Sequence, residues 1–103
     1  MILIYCKTTD IPRKVGEAIC KANSTENLSW KIIEEIEADT WTIKTQRGRY
    51  TNVLVYKIGA SIVVVEVSDD CAPNVVEPLM EIYGFENIKW LVSPEKDNVL
   101  GSF

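Results

Sequence analysis

The stretch YTNVLVYKIGASIVVVEVS, residues 50–68, decides the fold of this chain. Its two arms, Tyr50 to Ile58 and Ser61 to Ser68, are rich in β-branched and aromatic residues, which favours two strands. Gly59-Ala60 between the arms has the length and the glycine of a tight hairpin turn. Because both faces of the first arm are apolar, we expect it to lie centrally in a sheet, covered on both sides, or at a subunit contact.

A second hairpin is predicted immediately upstream. Trp30 to Glu37 and Thr40 to Thr45 flank a tight turn at Ala38-Asp39, and the second arm alternates apolar and polar residues. Residues 28–37 also carry apolar side chains at helical spacing, so this segment is open to a strand or a helix, and the alternating arm that follows favours a strand. Gln46 to Arg49 predicts the next turn, in which the glycine supplies the positive φ angle.

The amino-terminal part predicts a strand followed by a helix. Ile2 to Lys7 has the composition of a strand, Thr8-Thr9-Asp10 offers helix-capping side chains, and Pro12 suits a first helical turn. We therefore expect an amphipathic helix that ends at the polar stretch 23–27. Its apolar face consists of Ile11, Val15, Ala18, Ile19 and Ala22.

The carboxy-terminal part predicts a second helix and a last strand. Asn74 and Glu77 have the spacing of a capping box, which places the helix start near Asn74 and puts Pro78 in the first turn. Gly84 is a natural stop, and Asn87 to Val92 is typical of a strand with Ile88, Trp90 and Val92 on one face. The apolar face of this helix consists of Val75, Val76, Leu79, Met80 and Tyr83.

The predicted order is β-α-β-β-β-β-α-β, which favours the α+β class. We expect a curved, mainly antiparallel sheet with both helices packed on one face, as a ferredoxin-like or helix-grip-like two-layer sandwich. Residues 1–94 form a single predicted domain and residues 95–103 a polar C-terminal tail. Such an architecture does not identify a function.

Composition excludes several classes of function. The chain has 103 residues, a net charge of −4 and no histidine, so mechanisms that need an imidazole base or ligand are excluded. Its three cysteines show no CxxC spacing, and the start lacks the basic residues of a signal peptide, which favours the cytoplasm. No stretch approaches the roughly 20 apolar residues of a membrane span.

Five residues are candidates for binding. The basic turn with Arg47 and Arg49, followed by Tyr50, is suited to phosphate or to stacking, although the acidic net charge does not favour nucleic acid. Trp41 lies on a predicted strand and Glu66 on an apolar strand face, where a buried carboxylate has a raised pKa or forms a salt bridge. Core packing is the simplest role for each tryptophan, but an exposed one would anchor a protein partner or a planar ligand.

Carboxylates offer an alternative, enzymatic reading. Glu34, Glu37, Asp39, Glu66 and Asp69 lie on or beside neighbouring predicted arms, and convergent carboxylates hold Mg²⁺ in phosphodiesterases and nucleases. The lysine that such a core needs two residues after its second acid is missing, because that position is a serine. Exposed charges on strands also have a simpler role in resisting aggregation.

Cys6 is the other catalytic candidate. It ends the first strand just before a predicted helix start, where the helix dipole can lower the pKa of a thiol. The loop between Cys6 and Arg13 has no glycine to wrap an anion. A buried strand thiol is the simpler interpretation.

These observations favour binding over catalysis. We expect a small cytoplasmic, non-enzymatic interaction module without a cofactor, with an acidic surface and a protein partner. An inhibitor or adaptor of a basic protein fits the charge, and a homodimer through a strand edge or an apolar sheet face is expected. The candidate binding residues are Trp41, Arg47, Arg49, Tyr50 and Glu66.

Overall fold

The structure is a computed structural model that describes residues 1–24, 30–37, 40–46 and 50–92. Within 31–52 and at 91–92 the backbone alone is described. Two helices, α1 (Pro12–Ala22) and α2 (Ala72–Tyr83), pack against an antiparallel sheet, which confirms the α+β class. A short 3-10 turn, Phe85–Asn87, follows α2. The strands are β1 (Ile2–Lys7), β2 (Lys31–Glu37), β3 (Thr40–Gln46), β4 (Tyr50–Ile58), β5 (Ile62–Val67) and β6 (Ile88–Val92).

The first strand of the chain lies inside the sheet. The strand order is β2-β3-β4-β5-β1-β6, and every described neighbouring pair is antiparallel. One register row runs from Val55 through Val65 and Ile4 to Trp90 on β6. Paired residues in such a row share a face of the sheet. β6 is therefore the edge next to β1 in the described sheet.

The main core lies between the sheet and the helices. Val15 and Ile19 of α1 and Val75 and Leu79 of α2 are fully buried, in one cluster with Ile4 of β1. Each such aliphatic side chain contributes about 1.5–3 kcal/mol when it leaves water. The helices therefore hold one face of the sheet by apolar burial.

A smaller cluster lies on the other face. Leu3, Tyr5 and Val64 are buried there, with Tyr56 and Ile58 packed against them. The prediction of apolar faces on both sides of β4 agrees with this, since Val53 and Val55 belong to the main core. Gly59 follows β4 at a φ angle of 67°, a left-handed conformation that favours glycine in the predicted hairpin turn.

The predicted capping of α1 is wrong. The N-cap residue is Ile11, which makes no side-chain capping bond and is exposed. The Thr8 hydroxyl instead accepts a hydrogen bond from the Asp10 amide at 3.1 Å. The Asp10 carboxylate accepts one from the Tyr83 hydroxyl at 2.9 Å. These side chains tie the β1–α1 loop to the end of α2, and the buried face of α1 consists of Pro12, Val15, Gly16 and Ile19.

The predicted capping box at the start of α2 is also wrong. The helix begins at Ala72 with Cys71 as N-cap, so Asn74 lies within the first turn and Pro78 in the helix interior. The Ala72 amide donates to the Ser68 carbonyl at 3.0 Å, which starts the turn before Asn74 is reached. The apolar face is confirmed, since Val75 and Leu79 are buried and the other predicted members pack against the core. The helix ends at Tyr83, as Gly84 predicts.

The segment 28–37, for which the sequence allowed a strand or a helix, is a strand over Lys31–Glu37. Its residues 28–29 lie outside the described part. The predicted turns at 38–39 and 47–49 and the predicted tail at 95–103 also lie outside the described residues.

Candidate functional site

The structure describes the side chain of one of the five predicted binding residues, Glu66. Trp41 and Tyr50 lie on β3 and β4, in the part described by its backbone alone, and Arg47 and Arg49 lie outside the described residues. Tyr50 pairs with the last residue of β3, so it directly flanks the predicted basic turn. The binding role of this turn stays a prediction.

Glu66 has a partner within the sheet. It lies opposite Leu3, on the face away from the helices, and the Tyr56 hydroxyl donates a hydrogen bond to its carboxylate. Burial first, and then the charge of Glu66, raise the pKa of Tyr56 to about 12, because both disfavour the tyrosinate anion. This contact gives Glu66 a structural role as an acceptor.

The strand order separates the carboxylates of the metal alternative. Glu34 on β2 and Glu66 on β5 lie in one register row, with two strands between them. At about 4.8 Å between neighbouring strands, their backbones lie about 14 Å apart. Asp39 lies outside the described residues, and Glu37 ends β2 where the backbone alone is described. No group of three metal-ligating side chains occurs among the described residues.

Cys6 is fully buried in the main core. Burial, and to a lesser extent the negative charge of Asp10, raise the pKa of its thiol to about 12. The predicted lowering by the helix dipole is wrong, because α1 begins only at Pro12 and the dipole acts within about one turn. Since the thiolate is the nucleophile, this environment opposes a thiol enzyme.

A groove that the sequence did not reveal lies between α2 and β6. Trp90 is 49% exposed there, although Ile4 beside it in the register row is 0% exposed. We call this depression of about 340 Å³ the α2–β6 groove. It is lined by Ile2, Ala72, Pro73, Val76 and Trp90, with Asp69 and Glu77 as its acidic members.

The first turns of α2 form one wall of this groove. Pro73 occupies an early helical position, where its missing N–H would be unpaired in any case. Val75 points into the core, so the next residue, Val76, is turned toward the flank of the helix and stays half-buried in the groove. The wall thus results from the helical period of 3.6 residues.

An asparagine pair fixes this wall to α1. Asn23 follows α1, and its side-chain amide donates to the Asn74 carbonyl at 2.9 Å and to the Ile19 carbonyl at 2.8 Å. The Asn74 side chain donates back to Asn23 Oδ1 at 3.2 Å. Asn74 therefore connects the two helices and does not cap α2.

Negative charge borders the groove. Asp69 pairs with the Met1 amine at 3.0 Å, and both groups are well exposed, so this pair contributes little stability. Glu77 is exposed and also lines a second depression of about 280 Å³ on the other flank of α2, together with Glu81. The groove therefore combines an apolar floor with carboxylates that face solvent.

The sequence did not predict that Trp90 is exposed. Its strand and the apolar face with Ile88 were predicted, and Ile88 is indeed buried. The position of β6 at an edge follows from the strand order, which local patterns do not determine. A half-exposed tryptophan next to acidic residues is the signal that the structure adds.

Comparison of the chain with models of protein families, with curated proteins and with solved structures found no match. Neither described helix is long and apolar enough to cross a lipid bilayer.

Proposed function

We propose that this chain is a non-enzymatic binding module that holds a basic segment of a partner protein in the α2–β6 groove. The observation that carries the proposal is the half-exposed Trp90 beside an apolar floor with Asp69 and Glu77 at its border. The proposal keeps the predicted acidic, aromatic-anchored binding surface and moves it from Trp41 to Trp90. Free cysteines among the described residues support a reducing compartment such as the cytoplasm.

Tryptophan supplies the apolar part of the proposed affinity. An aromatic side chain buries about 150–250 Å² in a contact. With 49% of Trp90 exposed, about 100 Å² remains to be covered, which corresponds to about 2.5 kcal/mol. That gain is a factor of about 70 in Kd.

Carboxylates supply the preference for a basic partner. Asp69, which precedes α2, and Glu77 on α2 border the groove, and the whole chain carries a net charge of −4. Charge complementarity of this kind increases the association rate and excludes acidic competitors. A basic segment with an apolar side chain therefore matches the groove better than a neutral one.

We also infer a ferredoxin-like arrangement in preference to the helix-grip alternative. The order β4-β5-β1-β6 supports it, since α2 connects β5 and β6 on either side of β1, and α1 together with the β2–β3 hairpin connects β1 and β4 on either side of β5. The hairpin of β2 and β3 then extends the sheet beyond β4. This fold carries no function by itself.

Fluorescence polarisation with labelled peptides tests the binding proposal. The probes are about ten residues long and carry two lysines or arginines and one aliphatic or aromatic residue at varied spacing; a mirror set has glutamate in place of each basic residue. We expect basic peptides to bind, Trp90→Ala to weaken them by about 70-fold, and Glu77→Gln to weaken them less. High salt should reduce the affinity.

Phe85→Ala is the matched control, because Phe85 is a still more exposed aromatic, 75% exposed, and does not line the groove. Thermal unfolding of each variant separates a binding defect from a folding defect. Equal binding of acidic and basic sets, or no binding by any peptide, contradicts the proposal. A second copy of the chain is the other occupant to consider, and dimerisation in sedimentation that Trp90→Ala abolishes would replace the basic partner by the predicted homodimer.

A further inference from the structure

We infer that the basic partner segment binds as an added β-strand on the edge of β6, with every second side chain directed into the α2–β6 groove. This inference rests on the proposed function and names the conformation and the sequence pattern of the partner.

β6 offers backbone groups for such an addition. Within the described sheet it pairs with β1 and with no other strand, so one side of Ile88–Val92 is an edge. An edge strand presents a row of N–H and C=O groups to an extended peptide. The strand contains no proline, and Lys89 is the one charged residue in it.

The groove lies where side chains of an added strand would arrive. Trp90 shares its register row, and hence its face, with the buried Ile4 on the helix side of the sheet. A new strand would lie about 4.8 Å beyond β6, and its alternate side chains would project to the same face. There they would meet Trp90, Val76 and Glu77, which line the groove.

This geometry specifies a pattern. Side chains that enter the groove are two residues apart in the partner, because strand side chains alternate between faces. An apolar residue against Trp90 should therefore be followed or preceded, two residues away, by a lysine or arginine near Asp69 or Glu77. A helical partner would instead space these residues by three or four.

An N-methyl scan of the basic probe peptide that binds most tightly tests the inference on the full chain. Each backbone amide of the peptide is methylated in turn, which removes one hydrogen-bond donor. We expect about tenfold weaker binding at alternate residues and about twofold or less at those between them. Hydrogen exchange of the β6 amides is followed in parallel, and we expect the faster-exchanging members of Ile88–Val92 to slow on binding.

The outcomes separate the inference from the proposed function. Binding that depends on Trp90 but shows no two-residue period in the scan overturns strand addition and leaves the binding module intact. Slow exchange of all β6 amides in the free protein also overturns strand addition, because the edge would already be occupied. Absence of binding by every basic peptide refutes the proposed function itself.

Discussion

Replacement of Asn74 by aspartate distinguishes the role seen in the structure from the role that the sequence predicts. As an N-cap, Asn74→Asp would be nearly neutral, because aspartate caps helices as well as asparagine does. In the structure the Asn74 side chain donates to Asn23 Oδ1 at 3.2 Å. The variant loses that donor and sets a carboxylate against an acceptor, so we expect a loss of about 1.5 kcal/mol in the free energy of unfolding.

Asn23→Ala provides the matched background. This variant removes the facing acceptor together with the two bonds that the Asn23 amide donates, and we expect it to cost about 2 kcal/mol. In that background Asn74→Asp should cost nothing, or stabilise by about 0.3–1 kcal/mol, because a negative charge near a helix N-terminus is favourable.

Thermal unfolding followed by tryptophan fluorescence measures all four proteins of this cycle. We expect the single Asn74→Asp variant to melt about 6–12 °C below the parent, since about 1 kcal/mol corresponds to about 4–8 °C in a domain of this size. An unchanged midpoint for Asn74→Asp would return Asn74 to the capping role. An equal cost in both backgrounds would refute the Asn23–Asn74 contact as its cause.

Three further predictions concern the buried thiol of Cys6 and the hydroxyl of Tyr56. Alkylation of the native protein at neutral pH should leave Cys6 unmodified, as peptide mass mapping would show, and modification at the rate of the unfolded chain would contradict its burial. The pKa of Cys6 is raised in the folded state, from 9.0 to about 12. The stability that its neutral thiol contributes is therefore fully present below pH 9 and is lost as the pH rises toward about 12. Because Cys6→Ala lacks this titrating group, its alkaline unfolding should begin at higher pH. The pKa of Tyr56 is likewise raised in the folded state, from 10.0 to about 12. Glu66→Gln should lower this pKa toward its ordinary value, because it removes the negative charge beside the hydroxyl. An ultraviolet titration of Tyr56 that Glu66→Gln leaves unchanged would exclude the contact.

The strands were predictable because their signals are local. Ile2–Lys7 and Tyr50–Ile58 have the bounds that β-branched and aromatic content predicts. The helix caps were not, because capping side chains were recruited by distant partners. Asp10 is bound to Tyr83, 73 positions away, and Asn74 to Asn23, 51 positions away. A capping pattern identifies a side chain able to cap and leaves open which acceptor or donor it meets.

The site was less predictable than the fold for a related reason. Glu66 was correctly identified as a carboxylate on an apolar strand, but its partner Tyr56 belongs to the neighbouring strand and depends on register. Trp90 was assigned with Ile88 to one strand face, and only the strand order shows that β6 has a single neighbour in the described sheet. The exposure of a residue at an edge is thus a property of topology.

Exposure alone does not decide which aromatic residue is the anchor. Phe85 is more exposed than Trp90, at 75% against 49%. It lies on a short 3-10 turn, however, whereas Trp90 lies on a strand paired with β1 and beside a helix wall that Asn74 ties to α1. An anchor held in advance loses less conformational entropy on binding. Trp90 also has a concave apolar surface beside it, so a partner side chain can contact the ring and the floor together. The half-buried tryptophan is therefore the better anchor, because the buried half fixes the orientation of the exposed half.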